Sequence, residues 1–428
     1  MKVKNYIKEN TFDAIIIISS LFYCLITTYL LFEWVSNSSF TVSNNDDYLT
    51  NFKIYLKTGF YQSNIQGTTV IYFFVLRLIY DIVGSVQLSF LLLNGFSQLF
   101  LFFFGVFMLS KIKPKINNIL YYVILLMFCF RTLTLTAYNK ASNDTFLGVF
   151  IMLVLYLLIF KICPIKIIEK KNLILLGAFL AICFGIRPTT VLLIPVVLLL
   201  LFLQQKLNKL SFVFVLKNTS MVLGVFFLLT SIIHFPSIIE KRKLSFYNKN
   251  PKEYNWTQRN FLAIQNIQNN NETFNSGNVW KTKFKDVEEY IELYGEDSLP
   301  KSLSEVVLKH PFLYLKVVFL NGIGVFSYIV RYTGLLFLIP MISLIYNKKY
   351  FVENIPLLSF VVFSICLLSI VFTRIEYRWY SGYEILIYLS ILLSINQIYK
   401  KQNKLVKIIA LVSVIIVGAF NLRSIVNM

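Results

Sequence analysis

Two aspartates stand side by side, Asp46 and Asp47 in "SNNDDYLTNF", just after a long apolar run that begins at Phe12. A carboxylate in such a place can do two kinds of work. It can cap a helix by accepting backbone N–H groups, or it can take a proton from a hydroxyl. One cap needs one aspartate, so the pair leaves a carboxylate over. Asp144 in "NKASNDTFLGVF" has the same two readings, as a cap for the apolar segment starting near Thr145 or as a reacting group. Among the cations, Arg187 in "CFGIRPTTVLLIP" reads either as a snorkelling arginine between two apolar segments or as an anion ligand, with Pro188 at the first position of the next helix. Arg374 and Arg378 lie four residues apart in "RIEYRWYSGYE".

The elements that must position these groups are apolar. The 428 residues are 57% hydrophobic and 17% aromatic, with a mean hydropathy of +0.67. That composition lies outside the soluble globular range and implies an all-α polytopic membrane protein. The formal charge of +20 then reads as a topology signal, because Lys and Arg collect in cytoplasmic loops, and nucleic acid is not implied as a partner. The five cysteines lie in or beside apolar segments without CxxC spacing and read as packing residues. His234 and His310 are far apart and outside any zinc-ligand pattern. The basic N-terminus precedes an apolar core longer than that of a signal peptide and without a small-residue cleavage site, so it reads as a retained first span.

Windows of about 20 apolar residues place spans near 12–32, 86–110, 117–136, 145–162, 172–186, 189–203, 217–235, 323–346, 355–373, 382–399 and 405–422, eleven in all. With eleven, the basic segments 111–115, 161–171, 204–210, 346–350 and 399–404 share the cytoplasmic side with the N-terminus. Asp46, Asp47, Asp144, Arg187, Arg374 and Arg378 then all fall at the opposite, extracytoplasmic boundary. Two segments fit only as surface helices on that face. One is 48–60, with Leu49, Phe52, Leu56 and Phe60 at helical spacing and Lys53 and Lys57 on another face. The other is 67–84, short and carrying Arg77 and Asp81. The long outer segment 236–310 contains helical signals: Asp286 with Glu289 and Ser302 with Glu305 spaced as capping boxes, and Gly295 as a stop. It reads as a partly helical cap, the other reading being a solvated connection without a role.

Ionisable groups that converge on a membrane edge from distant parts of a chain are functional candidates. Carboxylates with several arginines suit chemistry on a lipid-linked phosphate, where a carboxylate removes a proton from an acceptor hydroxyl and arginines stabilise the departing phosphate. In the order and placement of these motifs the chain resembles the GT-C superfamily of membrane glycosyltransferases, especially the dolichyl-phosphate-mannose protein mannosyltransferases and the bacterial aminoarabinose transferases that act on lipid A. The resemblance lies in "DDYLTNFKIYLKTGFY" (46–61), in the surface helix "TTVIYFFVLRLIYDIVG", in Asp144 on the second outer loop, and in "GAFLAICFGIRPTT" (177–190). It covers roughly residues 10 to 205, with "RIEYRWYSGYEILIYLSILL" similar to the family's late aromatic-Arg segment. Where relatives carry Lys-Pro-Pro or Pro-Pro ahead of the surface helix, this chain has Gln66, Gly67, Thr68 and Thr69, without the lysine.

The resemblance implies a GT-C-like bundle of about eleven helices. It divides the chain into an N-terminal catalytic module over 1–235 with its outer loop 33–85, an extracytoplasmic loop over 236–312, and C-terminal helices over 313–428. It further implies an inverting transfer of a sugar from a polyprenyl-phosphate donor to a hydroxyl of a lipid, glycan or protein acceptor, at a bacterial cytoplasmic membrane with the N-terminus inside. Asp46 is then the base, Asp47 second in line, and Asp144 orients the acceptor or assists. Arg187, Arg378 and Arg374 bind the donor phosphate. The family's members differ over metal, and three acidic residues at one face could hold a divalent cation through oxygen, so the cofactor stays open. A polysaccharide polymerase or ligase would also have many spans and a long late outer loop, but needs no acidic pair in the first. A transporter should carry polar groups at the midplane of its helices and often an inverted repeat; no internal repeat is visible here, and the charges cluster at one edge.

Overall fold

The computed structural model describes residues 18, 20–27, 29, 46–67, 69–112, 118–138, 142–163, 168–208, 211–245, 254–346 and 355–426. Among these the protein is all-helical. Four helices are long and apolar enough to cross a membrane: Val86–Lys111, Asp144–Ile162, Phe212–Ile233 and Pro311–Ser343. Shorter apolar helical segments include Pro188–Leu203, Ile355–Ile370 and Ile385–Ile395. Residues 1–17, most of the stretch 28–45 and the basic segments 113–117 and 347–350 lie outside the described residues, so the expected N-terminal orientation does too.

Both expected surface elements are helices. α1 spans Asp46–Gln66 and is kinked at Gly59, whose φ of 74° is open to glycine at no steric cost. It buries Phe52 and Tyr55, half-buries Leu49 and Leu56 and leaves Lys53 and Lys57 exposed, but Phe60, just past the kink, is exposed as well and leaves the expected apolar face. α2 spans Val70–Val83, buries Tyr72, Phe73 and Leu76, and carries an exposed Arg77–Asp81 ion pair at 2.7 Å. α3 (Val86–Lys111) begins at Ser85, whose hydroxyl accepts from the Leu88 N–H. Phe96, Phe100, Phe103 and Phe107 form an exposed stripe along α3 at helical spacing. A stripe of rings turned outward suits contact with lipid chains. α4 is Asn118–Tyr138. α5 is Asp144–Tyr156 and continues as a π-helical turn over Leu157–Ile162.

α6 (Lys170–Ile186) ends at Arg187, and Pro188 opens a 3-10 turn (Pro188–Leu192) ahead of α7 (Leu193–Asn208). Pro188 thus takes the first helical position the sequence assigns to it, where its missing N–H costs nothing. α8 (Phe212–Ile233) packs along α6, and α9 (Phe235–Lys241) packs on α1. Asn64 makes that last junction: its amide donates to the Ile233 carbonyl at 2.7 Å and accepts from the Ser237 N–H at 3.2 Å.

The segment that the sequence reading sets on the outer face, here called the outer unit, builds a small helical unit with its own core over 254–309. α10 (Trp256–Asn269) starts in a capping box in which Asn255 accepts from Thr257 and Gln258. α11 (Ser276–Lys281), α12 (Phe284–Tyr294) and α13 (Leu303–Lys309) follow. Phe261, Leu262, Ile264, Val287, Ile291 and Val306 are buried together in it. α12 starts three residues earlier than the sequence reading has it: Asp286 sits inside its first turn and accepts from the Lys283 N–H at 2.7 Å, while Glu289 pairs with Lys285. Ser302 caps α13 as expected, but Glu305 reaches back to the Lys301 N–H rather than that of Ser302. That bond and the Lys309 ammonium hold the Glu305 carboxyl below its ordinary range.

α14 (Pro311–Thr333) leads through a 3-10 turn (Gly334–Phe337) to α15 (Leu338–Tyr346). α16 is Ile355–Ile370, and after the 3-10 turn Tyr377–Tyr380 comes α17, a 42-residue helical run over Ile385–Val426. This run is not straight. Tyr388 donates to the Tyr332 carbonyl at 3.2 Å and the Ser413 hydroxyl accepts from the Leu335 N–H at 2.9 Å. A straight helix would separate residues 388 and 413 by about 37 Å, whereas their partners are three residues apart. The run therefore doubles back between its two apolar halves.

Candidate active site

The site forms where the start of α5 meets the end of α6, and where the Tyr377–Tyr380 turn docks on α5. The loop before α5 is tied down by Asn143, which does not cap. Its amide donates to the Ile186 carbonyl at 3.1 Å and to the Thr69 hydroxyl at 3.3 Å, and its Oδ1 accepts from the Tyr48 hydroxyl at 3.0 Å. Tyr72 also fixes this loop by donating to the Ser142 carbonyl at 3.0 Å. The first turn of α1 and the start of α2 are thereby joined to the segment that carries Asp144.

Asp144 does not cap α5. It is 1% exposed, and its carboxylate turns to two guanidinium groups: Oδ1 accepts from Arg187, and Oδ2 lies 3.4 Å from Nη1 of Arg378. A carboxylate buried this deeply needs such partners, because an unpaired charge away from water costs several kcal/mol. The Arg187 guanidinium also lies 5.7 Å from the Trp379 ring centre. Arg378 is shared with Glu376, whose Oε2 accepts from its Nε.

A close backbone approach makes the docking possible. A Cβ at Gly382 would stand 2.5 Å from the Gly148 carbonyl oxygen, and the φ of Gly382 is +84°. Gly148 lies one turn beyond Asp144 on α5. Only glycine at 382 lets the turn carrying Arg378 come this near to the carboxylate.

Around the Asp144–Arg187–Arg378 cluster lies a narrow, partly open cleft. Thr189, Thr190, Phe363, Leu367 and Tyr383 contribute to its walls. Three buried polar atoms at this cleft make no hydrogen bond to the described residues, Trp379 Nε1, Ser381 Oγ and Tyr383 Oη, and Asp144 Oδ2 has only its 3.4 Å ion pair with Arg378. Buried polar atoms ordinarily find partners, so this concentration marks a place where a polar ligand or water completes the set.

The six residues singled out in the sequence are therefore distributed as follows. Asp144, Arg187 and Arg378 meet in the cleft. Asp46 and Asp47 open α1 two residues and one residue before Tyr48, which contacts Asn143; their side chains lie outside the described residues. Arg374 stands apart, donating to the Leu320 carbonyl at 3.0 Å with its guanidinium 5.5 Å from the Phe274 ring, and does not line the cleft. Among the described residues no group of three or more metal-ligating side chains occurs. Asp144, covered by two guanidinium groups, does not suit a divalent cation.

Sequence reading missed two carboxylates. Glu376 bridges Arg378 and Trp280, accepting from the indole N–H at 3.2 Å. Glu384 lies deeper, 3.8 Å from Arg131. The signal was present for both, since an ionisable residue in an apolar chain is expected to have a partner, but Trp280 lies 96 positions from Glu376 and Arg131 lies 253 from Glu384. No protein-family model, no curated protein and no solved structure matches this chain.

Proposed function

We propose that the protein is a membrane glycosyltransferase of GT-C type that moves a sugar from a polyprenyl phosphate to an acceptor hydroxyl on the extracytoplasmic face, with inversion at the anomeric carbon. The observation that carries this reading is the cleft itself: two guanidinium groups from distant segments, held on one buried carboxylate beside unpartnered indole, phenol and hydroxyl groups. Those donors match the oxygens of a phosphate, which arginine grips in a planar, charge-assisted geometry. The eleven-span topology belongs to the same reading, since it sets this cleft at the membrane edge where a lipid headgroup lies.

In this reading Asp46, with Asp47 second, takes the proton of the acceptor hydroxyl. The acceptor oxygen attacks the anomeric carbon from the face opposite the phosphate, the bond from that carbon to the phosphate oxygen breaks, and the electron pair leaves with the phosphate. Arg187 and Arg378 receive the charge that develops there. A phosphate leaves without an acid to protonate it. Asp144, both of whose oxygens already face arginines, aligns those arginines and does not take the proton.

Native mass spectrometry of the detergent-extracted protein tests the reading. A co-purifying polyprenyl-phosphate sugar is the expected result. A lipid-free protein that transfers no sugar from a synthetic farnesyl-phosphate sugar, or that carries solute across proteoliposomes, would overturn it.

A further inference from the structure

Glu376 is a carboxylate beside the cleft whose two oxygens reach different parts of the chain. Its Oε2 accepts from Nε of Arg378, and its Oε1 accepts from Nε1 of Trp280 at 3.2 Å. Trp280 belongs to α11 of the outer unit and is fixed there independently of Glu376. The Arg259 guanidinium lies 4.4 Å from its ring centre, and the Trp256 ring meets it nearly at right angles at 6.0 Å. Arg259 is anchored in turn: its Nε donates to the Thr282 carbonyl at 2.9 Å and its Nη2 to the Val279 carbonyl. Burial among these groups pulls the Arg259 guanidinium down to about 10. A continuous line of contacts thus runs from the interior of the outer unit through Trp280 and Glu376 to Arg378, and from there to Asp144.

The line has a mechanical consequence. A guanidinium carries its N–H donors in one plane, and gripping the Nε edge leaves the Nη groups as the free working edge. With Nε on Glu376 and Nη1 toward Asp144, Arg378 is held in one of the many rotamers its side chain could adopt. Ordering such a chain in advance removes an entropic cost from ligand binding. Glu376 can hold Arg378 only if it is itself held, and its other oxygen is held by the indole of the outer unit.

We propose that Glu376 is a positioning residue for Arg378 and that Trp280 sets Glu376, so that the outer helical unit tunes how tightly the cleft grips an anionic headgroup. The inference rests on the reading that Arg378 contacts the donor phosphate.

The test uses the full chain in detergent, with farnesyl phosphate and farnesol as probes and thermal stability measured alongside. Trp280→Phe keeps an aromatic ring for Arg259 and Trp256 but removes the N–H. It should weaken farnesyl phosphate by about 2- to 12-fold, the scale of one hydrogen bond, leaving farnesol binding and melting temperature unchanged. Trp280→His, which restores an N–H donor, should recover part of the loss. Glu376→Gln, which cannot accept from both partners with the same charge, should weaken farnesyl phosphate on the order of 10-fold, and carries the test alone if the tryptophan variants do not fold. Arg378→Ala separates the two levels of the argument. If Arg378→Ala loses farnesyl phosphate while Trp280→Phe and Glu376→Gln bind as wild type, the line from the outer unit is inert and the proposal fails. If Arg378→Ala also binds as wild type, the phosphate reading of the cleft fails and takes the proposal with it.

Discussion

Two arginine–carboxylate clusters in this protein use the same residue types to opposite ends. In the cleft, Asp144, Arg187, Arg378 and Glu376 stand beside unpartnered polar atoms and an open mouth. Deeper in the bundle, Arg131 on α4 and Glu384 just before α17 are 2% and 3% exposed and are enclosed by aromatic side chains. Nε of Arg131 donates to the Tyr328 hydroxyl at 2.8 Å, and its guanidinium lies 5.0 and 4.6 Å from the Tyr328 and Tyr332 ring centres. One cluster leaves its edge open to a ligand and the other is closed by the protein. Charge in an apolar environment alone does not mark a binding site, and neither does a buried polar atom without a hydrogen bond, since Glu384 Oε2 accepts none from the described residues either; access does.

The sharpest way to break this contrast is to remove one member of the closed cluster. Arg131→Met should lower stability by about 3–5 kcal/mol, because it strands the Glu384 carboxylate without its cation. The double variant Arg131→Met with Glu384→Leu should recover most of that loss, since a buried pair replaced by apolar groups is often neutral. Thermal unfolding of both in one detergent checks it. Equal instability of single and double variants would show that the pair contributes more than mutual neutralisation.

The next effect is on turnover and not on folding. Asp46→Asn preserves any capping interaction but cannot take a proton, so it should fold, bind donor, and lose transfer by about 100-fold or more. Asp47→Asn should be milder. Near-normal transfer in both variants would remove the carboxylate base from the mechanism.

A smaller effect links backbone to charge. Gly382→Ala places a Cβ 2.5 Å from a backbone oxygen at a φ of +84°, so the Tyr377–Tyr380 turn must move. A cost of about 1–3 kcal/mol in stability should accompany weaker headgroup binding as Arg378 shifts from Asp144. Gly148→Ala meets the Ser381 hydroxyl at 3.0 Å and should do less.

The smallest is a pH effect in the outer unit. The Glu305 carboxyl is held below its ordinary range by the Lys309 side chain and the Lys301 N–H. Its contribution to α13 is therefore present above the ordinary carboxylate range and is lost as pH falls through that range to the depressed folded value. Amide exchange over Leu303–Lys309 should quicken in that window while exchange at the cleft stays constant.

Much of this arrangement was legible in the sequence. Helical spacing pointed to the first of the two short helices and the length and charges of 67–84 to the second, Gly295 ends its helix as expected, and Asp144, Arg187 and Arg378 meet despite lying in three separate segments. Arg374 shows where such reading ends. Its spacing of four from Arg378 would put both on one face of a helix, but residues 371–376 are not helical, so Arg374 turns to the Leu320 carbonyl instead. The Arg131–Glu384 pairing was equally hidden, because a pattern along the chain records the period of each helix and not which helix faces which. The expected turn near 399–404 survives only as a doubling back within one long helical run, which its contacts with Tyr332 and Leu335 reveal.

On the function proposed above, the cleft grips the phosphate of a lipid. The affinity of farnesyl phosphate relative to farnesol, measured on the wild-type chain and on Arg187→Ala, tests it most directly. The account predicts that the wild type prefers the phosphate and that Arg187→Ala loses about 1.5–3 kcal/mol of that preference, roughly 10- to 100-fold, with farnesol binding unchanged. Equal affinity for the two lipids in the wild type, or an undiminished preference in Arg187→Ala, would contradict it.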